Sequence, residues 1–434
     1  EGIQGMTERI LIRNIEYWSP DGTVVTGDLA IAEGKFAHVG TVPEDWAADR
    51  IMEGKDLLAM PGFINTHTHA AMSLFRSYAD DMQLMDWLQE KIWPAEARLE
   101  ADDVYWGTQL SIAEMLRTGT TTFADMYFFM PDAARAVAES GIRASLARGM
   151  AGVAPNAETA LTESASFFRE FHGAADGRIT VMLGPHAPYT CPPAYLERVV
   201  SMAHCLKANI HIHLAETIGE VEDCKKDHGA TPMALMERLG LLECGVLAAH
   251  CVHLSQEDIE LMVRRNVRVA HNPGSNLKLA SGIAPVPAML KAGLCVALGT
   301  DGAASNNNLD MLEEVRLAAT LHKANTGDPL AVSASEALQM ATSAGALALG
   351  LEQQIGQIAP GKKADLTLWN MNGLHWQPRY DRISLLAYAA NALDVHSVLV
   401  DGKVLLDNSE FTTIDIERLR HEVAVRSQRL TARN

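Results

Sequence analysis

The chain has 434 residues, 48% of them hydrophobic and 21% charged, which is the balance of a globular protein and excludes collagen-like, low-complexity and disordered chains. Its 36 Lys+Arg against 54 Asp+Glu leave a formal net charge of −18, which argues against a general nucleic-acid or anionic-membrane surface. Six cysteines stand without a C-x-x-C pair and no apolar run nears ~18 residues, so neither a disulfide framework nor a membrane span is expected.

The start lacks the basic, apolar, small-residue order of a signal peptide, and Glu1-Gly2-Ile3-Gln4-Gly5 before Met6 reads as an expression-vector remnant. A cytoplasmic protein is expected. Residues 6–60 read as β structure: Ile10–Ile15, Val24–Thr26 and Leu29–Ile31 are apolar-rich, with turns at Asp21-Gly22 and Glu33-Gly34-Lys35. From 61 to 358 a different unit repeats, in which a short apolar run ends in a polar residue and a helix-length stretch follows. The eight runs lead into His67 and His69, Asp125, Arg148, His186, Glu216, His250, His271 and Asp301. Helical periodicity covers Trp106–Leu116, Pro131–Ala138, Tyr195–Cys205, Thr231–Leu239 and Gln256–Val263. Lys225-Lys226 and Arg264-Arg265 read as solvated helix faces.

Beyond Pro360-Gly361, residues 359–434 resume β texture at Ala364–Trp369 and at Ser397–Val400 and Val404–Leu406, the last two joined by an Asp401-Gly402 turn, before a terminal helix. Eight strand–helix units in ~300 residues predict an α/β fold, a (β/α)₈ TIM barrel, with a small β-sandwich domain built from both chain ends. An open doubly wound sheet would instead carry a G-x-G-x-x-G turn near the start of this region, and there is none. In a barrel the chemistry lies at the C-terminal strand ends, where this sequence places its His, Asp, Glu and Arg.

His67-x-His69 and His211-x-His213 each put two imidazoles on one strand face, a pattern suited to a metal and equally to half-buried histidines that satisfy backbone carbonyls. Asp301 offers a carboxylate at the same mouth, and by the same logic His271 faces it too. The segments Pro61–His69, His211–Glu216, His271–Asn276 and Gly299–Gly302, with Ile355–Asp365, resemble the signature of the amidohydrolase superfamily over nearly the whole chain. They are most similar to its aminohydrolase and chlorohydrolase branch, and within it to the deaminases of adenine nucleosides.

The resemblance implies one divalent metal ion per subunit, zinc or alternatively iron(II), held by His67, His69, His213 and Asp301. A second metal would need a bridging Lys at the fourth strand end, where this chain has Gly184-Pro185-His186. The implied reaction is hydrolytic deamination of the adenine ring of 5′-methylthioadenosine, with S-adenosylhomocysteine and adenosine as further substrates. A metal makes water a nucleophile at neutral pH. Glu216 is then the proton donor and shuttle, His250 orients the water and Asp301 accepts its proton. The plain alternative for Glu216 is a carboxylate favoured at a helix start. His271 is assigned to support of the site; His38, His375, His396 and His421, outside the barrel span, are assigned to surface or structural roles.

The long segment Ala70–Leu99 after the first strand carries Met72, Leu74, Phe75, Met82, Trp87 and Trp93, an apolar wall for a purine or a packed barrel rim. By resemblance Glu96 binds the ribose hydroxyls, and His186 and Arg148 bind substrate, together with Glu216 and Asp301. Arg148 suits a substrate carboxylate, but the family's second arginine has no counterpart, since Gly149–Thr162 contains no Arg or Lys. That tilts the expectation to the uncharged tail of 5′-methylthioadenosine.

Other deaminases of the branch (guanine, cytosine, oxidised purine) and a triazine chlorohydrolase share these motifs. Glu216 favours deamination and Glu96 a nucleoside. A non-catalytic scaffold would be expected to have lost ligands or Glu216. The expected partners are a small-molecule nucleoside, no nucleic acid, no membrane, and other copies of the chain in a homo-oligomer.

Overall fold

The structure is a computed structural model that describes residues 8–432, so Glu1–Gly5 and Met6 lie outside the described residues. Each of the eight apolar runs forms a strand: β1 Phe63–Thr68, β2 Thr120–Tyr127, β3 Arg143–Met150, β4 Ile179–Pro185, β5 Ile210–Leu214, β6 Val246–His250, β7 Arg268–His271 and β8 Val296–Leu298. They pair in parallel in chain order. Side chains bring the first strand to the last: Thr66 Oγ1 donates to the Leu298 carbonyl at 2.8 Å, and Asn65 Oδ1 accepts from the Thr300 amide at 3.0 Å. The result is a nearly closed (β/α)₈ barrel.

Strand alternation divides the side chains. Ala124, Ala147, Leu247, Ala249, Ala270 and Ala297 face inward with Ile64, Met126 and Met182. Their neighbours Phe123, Leu146, Leu183, Ile212, Val269 and Leu298 pack outward among the helices. The helices fall where the 3.6-residue pattern predicts them, for example Ala101–Arg117, Pro193–Leu206 and Gln256–Arg264. The last is capped by Ser255, whose side chain accepts from the Asp258 amide while Asp258 reaches back to the Ser255 amide.

Both chain ends build one nine-stranded mixed sheet. Its centre is the antiparallel pair Leu57–Pro61 and Leu366–Asn370, with Leu366 opposite Pro61, so the two flanks of the barrel segment are tied together at the point where they leave it. The sheet rolls up around its own core of Ile10, Ile12, Leu29, Phe36, Leu366 and Leu368. Its two extremities meet where the Gly34 and Gly402 turns touch: a Cβ on Gly402 would stand 2.9 Å from the Gly34 Cα. Val24–Thr26 and Leu29–Ile31, expected as separate pieces, form a single strand Val24–Ala32, because Gly27 stays extended and lies against the Gly40 backbone.

The terminal helix Ile416–Thr431 docks on the barrel, where Leu419 packs with Trp106 and Ala113, and Arg426 and Arg429 pair with Asp102 and Asp103. No helix among the described residues is long and apolar enough to cross a membrane.

Candidate metal centre and active site

The alternation of β5 sends Ile212 outward and both His211 and His213 inward, and the end of β1 brings His67 and His69 to meet them. Ring nitrogens are oriented by what their far sides touch. His69 Nδ1 stands 2.7 Å from the Met126 carbonyl and His213 Nδ1 2.7 Å from that of His186, so each Nδ1–H donates outward and each Nε2 lone pair faces the axis. The two Nε2 atoms are 3.2 Å apart. His67 Nε2 and His69 Nε2 each lie 3.3 Å from Asp301 Oδ1. Among the described residues the buried His67 Nε2 has no hydrogen-bond partner.

Ligand atoms of His67, His69 and His213 fall within 4.8 Å of one another, as do those of His67, His250 and Asp301. Burial pushes the His67 pKa down to about 4 and that of His213 well below its ordinary value, so these rings are neutral. The surrounding imidazoles overcome burial at Asp301 and hold its carboxyl well below the usual range. Neutral imidazoles around one carboxylate, with an orphaned ring nitrogen between them, are a donor set that fits a divalent cation.

Support for this cluster comes from every side. His67 Nδ1 lies 2.8 Å from His211 Nε2, both rings wholly buried. Asp301 Oδ2 accepts from Ser275 Oγ at 2.7 Å and Ser305 Oγ at 3.0 Å. A Cβ on Gly299 would stand 2.8 Å from the His67 amide nitrogen, so only glycine lets β8 close against β1 here. Glu220, in the first turn of the helix Ile218–His228, accepts from the Ala215 and Glu216 amides at 2.8 and 2.9 Å and sets the turn that aims Glu216.

His250 Nδ1 is 2.8 Å from Asn276 Oδ1, leaving Nε2 to face Glu216 Oε2 at 3.8 Å and Asp301 Oδ2 at 3.9 Å. Burial disfavours a charged His250, but the Glu216 and Asp301 carboxylates outweigh it and raise its pKa. Burial also raises that of Glu216, which favours a carboxyl able to donate a proton. Ala215 (φ 54), His250 (φ 72) and Asp301 (φ 63), each just at or beyond a strand end, have left-handed backbone, which costs a non-glycine residue.

A cavity of about 960 Å³ opens over the cluster; Glu216, His250 and Asp301 line it, as do Glu96, Arg148 and His186. From the segment after β1, Met72, Trp87 and Trp93 line it, whereas Leu74 and Phe75 are core and Met82 packs against that core. Tyr127 donates to Glu96 Oε1 at 2.6 Å, and burial raises the Glu96 pKa to about 7. His186 Nδ1 lies 2.8 Å from Thr190 Oγ1, and its ring centroid is 4.7 Å from that of His213. The Arg148 guanidinium is engaged by Glu163, with Nε donating to Oε2 at 2.8 Å.

His271 does not face the mouth. Its predecessor Ala270 points inward, so His271 points outward, where its Nε2 lies 3.1 Å from His322 Nε2 on the helix Met311–Thr326. Among the supporting residues that escape sequence reasoning are Ser275, Ser305 and Asn276, His211, visible in the repeated H-x-H but without a role there, and Glu220, whose only signal is its place four residues after Glu216.

Residues 58–405 match the Amidohydrolase family. The chain belongs to that family. This amidohydrolase is 54% identical over 417 residues to a 5-methylthioadenosine/S-adenosylhomocysteine deaminase of Pelotomaculum thermopropionicum, covering 95% of the chain and 96% of the relative. A protein of the same name from Moorella thermoacetica is 52% identical, at 96% and 99% coverage. Among solved structures, an adenosine deaminase from Xanthomonas campestris with bound zinc superposes with a TM-score of 0.93 at 36% identity, covering 97% of this chain and 98% of that one. An atrazine chlorohydrolase from Arthrobacter aurescens in complex with zinc gives a TM-score of 0.90 at 25% identity, covering 96% and 100%.

Proposed function

We propose that this amidohydrolase hydrolytically deaminates the adenine ring of 5′-methylthioadenosine and, less readily, of adenosine and S-adenosylhomocysteine, giving the inosine analogue and ammonia. The observation that carries the reading is Glu216 beside the cluster of His67, His69, His213 and Asp301, at the floor of a cavity large enough for a nucleoside. The relatives named above support the substrate class.

His67, His69, His213 and Asp301 would hold one divalent ion, zinc by preference and iron(II) as the alternative. When bound, such an ion supplies the Lewis acidity that makes water a nucleophile at neutral pH. Glu216 holds a proton on its carboxyl and delivers it to the ring nitrogen next to the amino-bearing carbon, which makes that carbon electrophilic. Asp301 receives the proton that the attacking water loses. His250 faces both carboxylates, orients the water and steadies the charge that builds between them. The water oxygen bonds to the carbon, the carbon–nitrogen bond breaks as the proton from Asp301 leaves with the amino group as ammonia, and the hydroxyl proton left on that oxygen returns to Glu216 as the carbonyl forms. Glu96 accepts from the two ribose hydroxyls. Met72, Trp87 and Trp93 offer apolar surface to the purine and the thioether, and His186 contributes a polar contact above His213. The six cysteines, none of them bridged, suit a reducing cytoplasmic compartment.

The test is ammonia release, with the ultraviolet change of adenine to hypoxanthine, on 5′-methylthioadenosine, S-adenosylhomocysteine, adenosine, guanine and cytosine. Metal-replete protein should turn over the adenine nucleosides and a chelator should stop it. Silence on all three nucleosides in protein shown to contain metal overturns the substrate assignment.

A further inference from the structure

Arg148, near the end of β3, lines the cavity. Its side chain is only 9% exposed, and its donors are already spoken for: Nε and Nη2 reach the same Glu163 oxygen at 2.8 and 2.7 Å, and Nη1 donates to the Gly149 carbonyl. That is the edge a substrate carboxylate would grip in a two-pronged pair. Arg148 is the one Arg or Lys among the described residues lining the cavity, whereas Asp132, Glu163 and Glu170 all line it. Glu163 stands on the helix Ala157–Phe171 with its side chain 51% exposed, so it is a movable rim residue rather than part of the packed core.

We infer that Glu163 is a specificity-determining residue: by occupying the Arg148 guanidinium it makes the cavity select 5′-substituents that carry no carboxylate. The inference rests on the nucleoside reading above and deepens it. A carboxylate-bearing tail must displace Glu163 from Arg148 and then lie beside the freed Glu163 carboxylate, in a cavity that Glu170 and Asp132 also line. Discrimination by such a like-charge element costs the wrong substrate and leaves an uncharged thioether untouched. The absence of any Arg or Lys from Gly149–Thr162 means that no second cation of that segment relieves the repulsion.

The experiment compares kcat/KM for 5′-methylthioadenosine with that for a 5′-(carboxypropylthio) analogue, which adds a carboxylate but no ammonium; S-adenosylhomocysteine is a third substrate. The readout is the ratio of the two rates, which does not depend on how much of a variant is folded. Glu163→Gln should raise the carboxylate-to-thioether ratio by at least about tenfold, the scale of one charge-assisted hydrogen bond released to the substrate. In an Arg148→Met background the same substitution should move the ratio far less, because only the repulsion by Glu163 is relieved and no cation remains to be freed. If Glu163→Gln is unstable, Glu163→Ala should give the same shift.

An unchanged ratio in Glu163→Gln overturns the inference, as does an equal rise with Arg148 removed, which would mean a general charge effect. A fall confined to S-adenosylhomocysteine would also overturn it, because Glu163 would then be holding the substrate ammonium. Failure of the metal-loaded wild type to act on 5′-methylthioadenosine at all would strike the functional reading instead.

Discussion

Substituting His211 by Phe tests whether the metal centre depends on a residue that is not itself a ligand. The phenyl ring is larger than the imidazole and cannot approach to the 2.8 Å hydrogen-bonding distance, so no cavity is left, and the strain of the larger ring is read separately from the lost hydrogen bond by the stability of the metal-free protein. For His67 to offer Nε2 to a metal its Nδ1 must carry the proton, and the only acceptor at 2.8 Å among the described residues is His211 Nε2. Both residues are 0% exposed, so no water replaces the lost partner. Stranding one buried N–H costs about 1–3 kcal/mol, an upper range here because His211 Nδ1 itself has no partner among the described residues and is removed with the ring. At about 1.4 kcal/mol per decade this is roughly a 5- to 150-fold loss of metal affinity, if the cost falls on the ligand-competent orientation. The range overlaps the ~10–100-fold typical of partners that orient a metal-binding imidazole. The assay is competition for zinc against a chromophoric chelator of known affinity, with thermal unfolding of the metal-free protein run in parallel. His211→Gln, which keeps an acceptor, should recover part of the loss. Affinity within about twofold of wild type in a folded His211→Phe protein would refute the reasoning, since the stranded donor would then cost less than the low end of that range.

Glu216→Gln should keep its metal by elemental analysis while turnover falls by about 10²–10⁴, the usual worth of a positioned proton donor; near-normal turnover would remove Glu216 from the proton path. Glu96→Ala should lower kcat/KM for adenosine far more than for free adenine, whereas equal losses would assign Glu96 to packing against Tyr127. Glu314, fully buried, accepts from the Gly274 amide at 2.9 Å and Asn306 Nδ2 at 2.6 Å, and burial raises its pKa from 4.5 to about 8. The folded state therefore holds a proton that the unfolded chain loses near pH 4.5, and the stabilisation from this group is complete below that value and lost as pH rises to about 8. Unfolding free energy measured across this window should fall more steeply in wild type than in Glu314→Gln, by up to about 1.4 kcal/mol per pH unit; parallel curves would show that Glu314 titrates normally.

The architecture is legible in the sequence for a physical reason. A barrel strand must be apolar where it is sandwiched and polar where it emerges, so each short apolar run announces both a strand and the position of its mouth. The same alternation makes His213 inward-facing once Ile212 is known to be core. It does not separate His211 from His213, which share a face and differ in depth; only the 2.8 Å approach of His211 to the far nitrogen of His67 does so. Nor does it expose the Arg148–Glu163 pair, whose members lie fifteen residues apart on a strand and the helix after it, a spacing with no local periodicity to mark it.

His250 and His271 make the limit concrete. Each follows an inward-facing alanine, Ala249 or Ala270, at the end of its strand, so simple alternation aims both rings away from the axis. His271 obeys, and packs against His322 behind the barrel. His250 does not: its φ of 72 turns the chain through the left-handed region and swings the ring back, to a centroid 5.4 Å from that of His67. A non-glycine residue pays a conformational cost there, and nothing in a one-letter sequence marks where the cost is borne. What holds it is tertiary: the Asn276 side chain at His250 Nδ1 and the two carboxylates in front of Nε2. His250, proposed above to orient the attacking water, is thus the residue whose local rule is broken, and the break is enforced by groups from the segments after β5, β7 and β8 that meet only when the barrel closes.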